Sequence, residues 1–339
     1  MREKVTIQQI ADMTGVSKFA VSRALSGKSG VSAQTRDMIL RTAGQLGYFN
    51  NKTQKTRRTE GPVPEVPQIA GTIVVLFPNI RYQNKGSVYW GPIFEGVSRR
   101  LDQIGLDIIT ITEPSSDHIF SMLNPKAIKG IVTLGNISTQ ILLDIKRLGI
   151  PVVMVDHHDP AFHCDTIFTD NFTCMRELIT RLISKGFRKL QYVGNIKAAR
   201  SFMERWIAYR TVLEEHQLPS RQNKRLTEVE SFVEISEAIT ALPEEDIPDV
   251  FVCANDFTAI STIEALSARG ISVPGQCAVS GFDNTYPDSE IALTTVNVNK
   301  ELLGMRAVDR ILWRIANPDS NIEKTLICAD IIMRESTAK

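Results

Sequence analysis

Two groups of side chains in this sequence of 339 residues could do chemistry, and the first lies near the start of the chain. Residues 17–23 read Ser-Lys-Phe-Ala-Val-Ser-Arg. On a helical projection at about 100° per residue, small apolar side chains fill one face. The other face holds Lys18, Phe19, Ser22 and Arg23. A basic face that presents an aromatic ring to solvent fits the major groove of DNA, where arginine pairs with guanine and apolar groups contact the thymine methyl.

Three short helices would have to position that face. Residues 6–9, Thr-Ile-Gln-Gln, fit a capping box for the first helix, and Ser17 and Ser32 are suitable caps for the second and third. A capped helix, a turn at Gly15 and a second helix with a basic outer face predict a helix-turn-helix. We expect the hydroxyl groups near the helix starts to bind phosphate oxygens: Thr6, Ser17, Ser32 and Thr35. The alternative is a generic three-helix bundle with a solvated basic face.

Charge is unevenly distributed along the chain. The first 59 residues hold eleven Lys and Arg but only three Asp and Glu, a formal charge of +8, although the whole chain carries +1. A basic segment on an acidic remainder indicates a module that binds polyanions. The five scattered cysteines form no Cys-x-x-Cys pair, the N-terminus is polar, and no apolar run reaches ~18 residues. We therefore expect a cytoplasmic protein with reduced thiols, no signal peptide and no membrane contact.

A change of composition separates the basic segment from the rest of the chain. Residues 50–59 contain no apolar side chain, and residues 60–68 contain three prolines, which predict an extended linker. The chain should therefore consist of three parts. They are a helix-turn-helix domain at 1–49, a basic arm with a proline-rich linker at 50–69, and a larger domain at 70–339.

The larger domain alternates short β-branched runs with helical patterns. Strands are predicted within seven runs: 71–77, 106–112, 128–135, 151–156, 190–195, 249–255 and 277–282. Helical patterns lie between them, for example at 93–104, 172–185, 203–216 and 256–269. The alternation predicts an α/β domain of parallel sheets with helices on both faces. Ligands bind such folds beyond the carboxyl ends of the strands, so polar residues that follow the runs are candidate ligand contacts.

Residues 6–48, TIQQIADMTGVSKFAVSRALSGKSGVSAQTRDMILRTAGQLGY, closely resemble the DNA-binding head of the lactose-repressor (LacI/GalR) family of bacterial transcriptional regulators. A looser resemblance continues in ERWIAYR (204–210), VCANDFTAISTIEAL (252–266), VSGFDN (279–284) and MRES (333–336). The resemblance implies a homodimer that binds a pseudo-palindromic operator in the bacterial nucleoid and represses transcription. It also implies a two-lobed core like that of periplasmic sugar-binding proteins, with an effector in the interlobe cleft that changes operator affinity.

The segment after the third helix departs from the family pattern. Family members usually have a proline here and then a hinge helix whose leucine enters the minor groove, whereas this chain has Asn50 and Arg57 at those positions. Arginine cannot act as an apolar wedge, but it can enter a narrow minor groove or bind phosphate. We therefore expect a basic arm that contacts DNA with little kinking, through Lys52, Lys55, Arg57 and Arg58. The alternative is a solvated, disordered linker.

The second group of candidate residues follows the strands of the larger domain. The resemblance places Asp156, Arg205, Asn255 and Asp283 at positions that match sugar contacts of the family. Carboxylates accept from adjacent hydroxyls, arginine donates to hydroxyl or ring oxygens, and an amide does both. Tyr89 and Trp90 align with two aromatic rings that can cover the apolar face of a pyranose. With their neighbours His157 and Phe257 as further contacts, these residues predict a sugar or sugar derivative as effector.

Other ligands and other classes of protein remain possible at this point. Lys300 replaces a residue that some sugar-binding members carry, and it could meet a phosphate or carboxylate on the ligand. A purine or a partner protein is the alternative effector, and a cytosolic sugar-binding protein without DNA function is the alternative class. Residues 157–165, HHDPAFHCD, lack a standard zinc spacing, so we predict no metal site. Without a nucleophile elbow, a phosphate-binding loop or a paired acid/base motif, we predict neither an enzyme nor a bound cofactor.

Overall fold

The computed structural model describes residues 6–25, 30–45, 71–77, 86–112, 126–287 and 290–338. It has two compact units, Met1–Pro67 and Gln68–Lys339. The described part of the first unit contains three helices, which are α1 (Ile7–Thr14), α2 (Lys18–Leu25) and α3 (Ala33–Gln45). Its small apolar core consists of Ile10, Ala11, Val21, Ala24, Ile39 and Ala43.

Local capping determines where the helices of the first unit begin. The Thr6 hydroxyl accepts from the Gln9 amide at 3.3 Å, and the Gln9 side-chain oxygen accepts from the Thr6 amide at 2.8 Å. The predicted capping box is therefore confirmed. Gly15 ends α1 with a φ of 67°, in the left-handed region that favours glycine. Ser17 Oγ and Ser32 Oγ each accept from a backbone N–H three residues later, at 3.2 and 3.1 Å, so the predicted helix-turn-helix is present.

The second unit alternates strands with helices, as the sequence predicts. In chain order its elements are β1 (Thr72–Leu76), α4 (Trp90–Ile104), β2 (Asp107–Ile111), β3 (Ile128–Leu134), α5 (Thr139–Arg147), β4 (Val152–Val155), β5 (Asp165–Thr169), α6 (Asn171–Ser184), β6 (Leu190–Val193), α7 (Arg200–Glu215), α8 (Phe232–Thr240), β7 (Val250–Cys253), α9 (Asp256–Ala268), β8 (Ala278–Ser280), β9 (Thr295–Asn297), α10 (Lys300–Ala316), β10 (Lys324–Ile327) and β11 (Asp330–Ile332). Each predicted strand run contains one strand, whereas β5, β9, β10 and β11 lie outside the predicted runs.

These elements form two lobes. The first lobe is built on a parallel sheet in the order β10-β5-β4-β3-β1-β2, and the second on a parallel sheet in the order β6-β7-β8 with the antiparallel pair β9 and β11. Helix α10 packs on the first lobe, and α6 packs on α7 in the second. The chain therefore crosses between the lobes three times, after β5, after β9 and after β10. Within the described ranges, no helix is long and apolar enough to span a membrane.

Two glycines let helices α4 and α10 approach each other closely in the first lobe. A Cβ atom added at Gly96 would lie 2.0 Å from the carbonyl oxygen of Glu301, and one added at Gly304 would lie 2.0 Å from that of Ile93. Ion pairs flank this contact, with N–O distances of 2.7 Å for both Arg99–Glu301 and Arg100–Asp309. Side chains at either glycine would force the two helices apart.

We predict that Gly96→Ala destabilises the protein by about 2–3 kcal/mol, because the added methyl group overlaps backbone of α10. Gly105→Ala at the end of the same helix is the matched control. Its Cβ meets open space, but its φ of 73° costs about 1 kcal/mol for a residue with a side chain. Urea unfolding of both variants measures the difference. Equal midpoints would mean that α4 and α10 separate without cost.

Candidate DNA-binding face and ligand site

Helix α2 presents the predicted face to solvent. Phe19 is 68% exposed, Lys18 and Ser22 are exposed, and the core side of the helix buries Val21. The Arg23 guanidinium carbon lies 5.2 Å from the centroid of the Phe19 ring, one helical turn earlier. The cation and the ring therefore form one joint surface on the outer side of the helix.

The hydroxyl groups near the helix starts are already engaged within the first unit. Ser17 and Ser32 cap their helices, and Ser32 Oγ also lies 2.7 Å from Thr35 Oγ1 in a hydrogen bond. The Thr6 hydroxyl donates to the side chain of Gln9 at 3.2 Å. The first N–H groups of a helix have no partner within the helix, and together with the helix dipole they favour an anion at each of these starts. The predicted basic arm, with Lys52, Lys55, Arg57 and Arg58, lies outside the described residues.

The first lobe contributes an acid and two aromatic rings to the candidate ligand site. Asp156 directly follows β4 and has a φ of 52°, an uncommon conformation for a residue with a side chain. The Tyr89 hydroxyl at the start of α4 donates to Asp156 Oδ2 at 3.3 Å. The Trp90 ring packs edge-on against Tyr89, with centroids 5.0 Å apart. The start of α4 and the carboxyl end of β4 therefore meet at one point.

The second lobe contributes a buried arginine. Arg205 on α7 is only 2% exposed, and its guanidinium lies 3.6 Å from the centroid of the Phe282 ring. It donates to Asp283 Oδ1 at 3.0 Å and to the Ala254 carbonyl oxygen at 2.6 Å. A third bond, from Nε to Asn171 Oδ1, measures 2.9 Å. The guanidinium thus ties the carboxyl ends of β7 and β8 to the start of α6.

Charges from both lobes act on Asp156. Burial raises its pKa to about 7, and the negative charge of Asp283 adds to this, while the positive charge of Arg205 opposes it. Burial likewise raises the pKa of the Tyr89 hydroxyl well above its ordinary value, so the phenol stays protonated and acts as a donor. Of the eight predicted ligand contacts, the structure brings together Tyr89, Trp90, Asp156, Arg205 and Asp283.

The other three predicted ligand contacts, Asn255, Phe257 and His157, have surroundings that differ from those of this cluster. Asn255 Oδ1 accepts from the Thr258 amide at 2.9 Å and so caps helix α9. Phe257 is exposed on the first turn of that helix. His157 Nε2 is buried without a hydrogen-bond partner, and burial lowers the pKa of this histidine, which keeps the ring neutral.

Two charged residues of the site were not predicted in the roles they have. Asp256 is buried beside Asn255 and accepts from Thr295 Oγ1 at 2.6 Å and from the Thr285 amide at 2.7 Å. The sequence suggests Lys300 as a contact for a phosphate or carboxylate group of the ligand, and that interpretation is wrong. Its ammonium group is buried and donates to the backbone carbonyls of Asp283, Asn284 and Val298. For Asp256, the sequence offered one signal of its role, which is its position at the start of a predicted helix. For Lys300, no sequence pattern indicated that its ammonium group would bind backbone carbonyls.

Comparison with known proteins agrees with this architecture. Residues 6–51 match the family model of bacterial regulatory proteins of the lacI family, and residues 179–337 match the periplasmic binding protein-like domain. The chain is 25% identical over 343 residues to the probable HTH-type transcriptional repressor ExuR of Bacillus subtilis (strain 168), with 99% of each chain covered.

Two solved structures have a similar fold. A transcriptional regulator CelR–cellobiose complex has a TM-score of 0.68 at 22% identity, covering 98% of this chain and 100% of the other. The lac repressor dimer bound to operator and the anti-inducer ONPF has a TM-score of 0.64 at 20% identity, covering 99% and 100%. A helix-turn-helix unit joined to a two-lobed unit of the periplasmic-binding type defines a transcriptional regulator rather than an enzyme. The chain belongs to the lactose-repressor (LacI/GalR) family.

We predict that replacing Asp156 changes how stability depends on pH. Its pKa is about 7 when folded and 3.8 as the ordinary value, so folding takes up a proton between these values and stability falls as pH rises through this window. Asp156→Asn removes that loss. Relative to the native protein, the variant should gain about 1–3 kcal/mol of unfolding free energy between about pH 4 and pH 8 in urea titrations.

Asp159→Asn is the control with the opposite sign. The Thr139 hydroxyl, at 2.6 Å, and the Ala161 amide, at 2.7 Å, lower the pKa of Asp159 despite its burial. That carboxylate stabilises the fold above its ordinary pKa, and the contribution is lost as pH falls. Asp159→Asn should therefore lose stability relative to the native protein as pH rises. The same trend in both variants would contradict the environment described for Asp156.

Proposed function

We propose that this regulator binds a pseudo-palindromic operator as a homodimer and represses transcription. Its operator affinity would be set by a sugar or sugar derivative bound between the two lobes, in the bacterial cytoplasm at the nucleoid. The observation that carries the proposal is the pairing of two features in one chain. One is the exposed basic and aromatic face of α2, and the other is the buried polar cluster of Tyr89, Asp156, Arg205 and Asp283.

The chemistry of the cluster supports a polyhydroxylated ligand. Asp156 and Asp283 provide carboxylate oxygens from opposite lobes, and Arg205 has N–H groups beyond the three that are already bonded. The Tyr89 and Trp90 rings, set at 86° to each other, offer apolar surface beside those groups. A ring that carries hydroxyls on its rim and C–H groups on its faces needs both kinds of surface. The fold neighbour described as a cellobiose complex supports the same class of ligand.

Features of both units support dimerisation. One helix-turn-helix makes few base contacts, so useful affinity requires two heads that bind two half-sites. Strand β2 is the last strand at one edge of the described part of the first-lobe sheet, and it exposes the consecutive residues Ile108 and Ile109. An exposed apolar edge strand is suited to contact a second chain. The lac repressor neighbour is described as a dimer bound to operator.

In the proposed complex, the outer face of α2 enters the major groove. Arg23 pairs with guanine, Phe19 contacts a thymine methyl, and Lys18 and Ser22 bind neighbouring acceptors. Thr6, Ser17, Ser32 and Thr35 lie at helix starts that face the phosphates, while Lys52, Lys55, Arg57 and Arg58 contribute charge along the backbone. Ligand acts on this complex only through its different affinity for the open and closed lobes.

Two measurements on the full-length protein test the proposal. Operators selected from a random DNA pool should contain two inverted half-sites. Calorimetry should find a binder in a panel of cellobiose, galactose, ribose, galacturonate and glucose 6-phosphate, with hypoxanthine as the non-sugar control. Binding of hypoxanthine alone would reject the sugar assignment, and the absence of any selected operator would reject the DNA-binding role.

We predict that Arg23→Ala weakens binding to the selected operator by about 1–3 kcal/mol and relaxes preference at one base pair of each half-site. Arg57→Ala is the contrasting variant, since a phosphate contact carries no sequence information. It should weaken binding to all sequences alike and lower the slope of log affinity against log salt by about one unit. Gel shifts with single-base operator variants measure both effects. A change of base preference in Arg57→Ala would contradict the phosphate assignment.

A further inference from the structure

Glu204 on α7 accepts hydrogen bonds from both lobes. Its Oε1 atom accepts from Lys324 Nζ at 3.3 Å, and Lys324 lies on β10 of the first lobe. The same oxygen accepts from Arg200 Nε at 2.8 Å, one turn earlier on α7 itself. The Lys324–Glu204 ion pair therefore joins a strand of one lobe to a helix of the other.

The second carboxylate oxygen of Glu204 is connected to the ligand site by hydrogen bonds. Oε2 accepts from the Nδ2 group of Asn171 at 3.1 Å, and Asn171 is the buried first residue of α6, directly after the first crossing between the lobes. With its amide nitrogen bonded to Glu204, the Asn171 side chain presents its oxygen to Arg205 Nε at 2.9 Å. Two side chains, Glu204 and Asn171, thus connect Lys324 in the first lobe to Arg205, which pairs with Asp283.

The ring of Phe168 holds the two cations together at this junction. Phe168 lies on β5 of the first lobe, and its ring centroid is 4.9 Å from Lys324 Nζ and 5.3 Å from the Arg200 guanidinium carbon. Arg200 belongs to the second lobe, so this contact also crosses between the lobes. Separation of the lobes would remove Lys324 and Phe168 from Glu204 and Arg200 together.

We propose that Glu204 is a positioning residue, which couples closure of the two lobes to the placement of Arg205 through Asn171. The assignment rests on the proposed role of the interlobe site in binding an effector. When the lobes close, Lys324 reaches Glu204 and fixes the carboxylate, which fixes the Asn171 amide and hence one donor of Arg205. By linkage, a ligand that holds Arg205 favours the closed lobes to the same extent.

The arrangement makes closure reversible at little cost. Arg200 and Glu204 are one turn apart on α7, so the carboxylate keeps a cation when Lys324 moves away. An unpaired, half-buried carboxylate would penalise the open state, and this pairing avoids that penalty. Opening therefore loses one partly exposed ion pair and the contact of the Phe168 ring with Arg200, which are interactions of small magnitude that a ligand can outweigh.

Lys324→Gln tests the coupling in the full-length protein without ligand. Hydrogen exchange read by mass spectrometry should quicken up to about fivefold in the segments where the chain crosses between the lobes, around 165–173 and 324–332, and at the start of α7. The Asp170 amide, bonded to the Ile327 carbonyl at 2.9 Å between two crossings, is the most informative position. Lys324→Arg keeps the cation and should restore native exchange.

The matched control is Glu215→Gln, also on α7. Glu215 pairs with Arg176 at 2.8 and 2.9 Å, but both residues lie in the second lobe, so its loss should leave exchange at the crossings unchanged. Equal exchange in Lys324→Gln and Glu215→Gln would overturn the proposal, and so would a failure of Lys324→Arg to restore it. Because no ligand is present, either result stands whether or not the sugar panel yields a binder.

Discussion

The buried charge of Arg205 is the constraint on which the ligand site depends. A guanidinium removed from water is tolerated only when its N–H groups are paired, and loss of one partner costs about 3–5 kcal/mol. The partners here come from three places: Asn171 at the start of α6, the Ala254 carbonyl after β7 and Asp283 after β8. The charge can therefore be buried only when these segments are assembled together. This requirement fixes the second-lobe part of the site before any ligand arrives, which reduces the cost of ordering it on binding.

The same charge makes the two acids of the site different. Asp283 forms an ion pair with Arg205 directly. Asp156 has the Tyr89 hydroxyl as its hydrogen-bond partner, and only the longer-range electrostatic attraction of the guanidinium acts on it. Burial outweighs that attraction and brings the pKa of Asp156 to about 7. Near neutral pH the carboxyl group is thus present both as an acceptor and as a donor. Under the proposed function, a hydroxyl ligand suits this acid, because a hydroxyl can take either role.

Features set by local sequence could be predicted, and features set by the crossings between lobes could not. The cap at Thr6 depends on a residue three positions away, and the strand runs are visible as short apolar segments. The close contact of Gly96 and Gly304 joins two helices distant in sequence, and no periodicity encodes it. Asn255 caps a helix, a role that its place before a predicted helix already allowed, and its contact with a ligand stays a prediction. Lys300 is buried because the chain crosses between lobes there, and its surroundings depend on that topology.

In the first unit, by contrast with the buried Arg205, an arginine is held at the surface of a helix. Arg23 lies against the Phe19 ring on one side, and on another a Cβ added at Gly30 would come within 3.2 Å of its Nε. Gly30 has a φ of 106°, a conformation that favours glycine, and the loop before α3 passes close to the Arg23 side chain at this residue. A guanidinium confined in this way loses less rotamer freedom when it pairs with a base. Under the proposed function, Phe19 therefore contributes to DNA recognition through Arg23 even at operators where its own ring contacts no thymine.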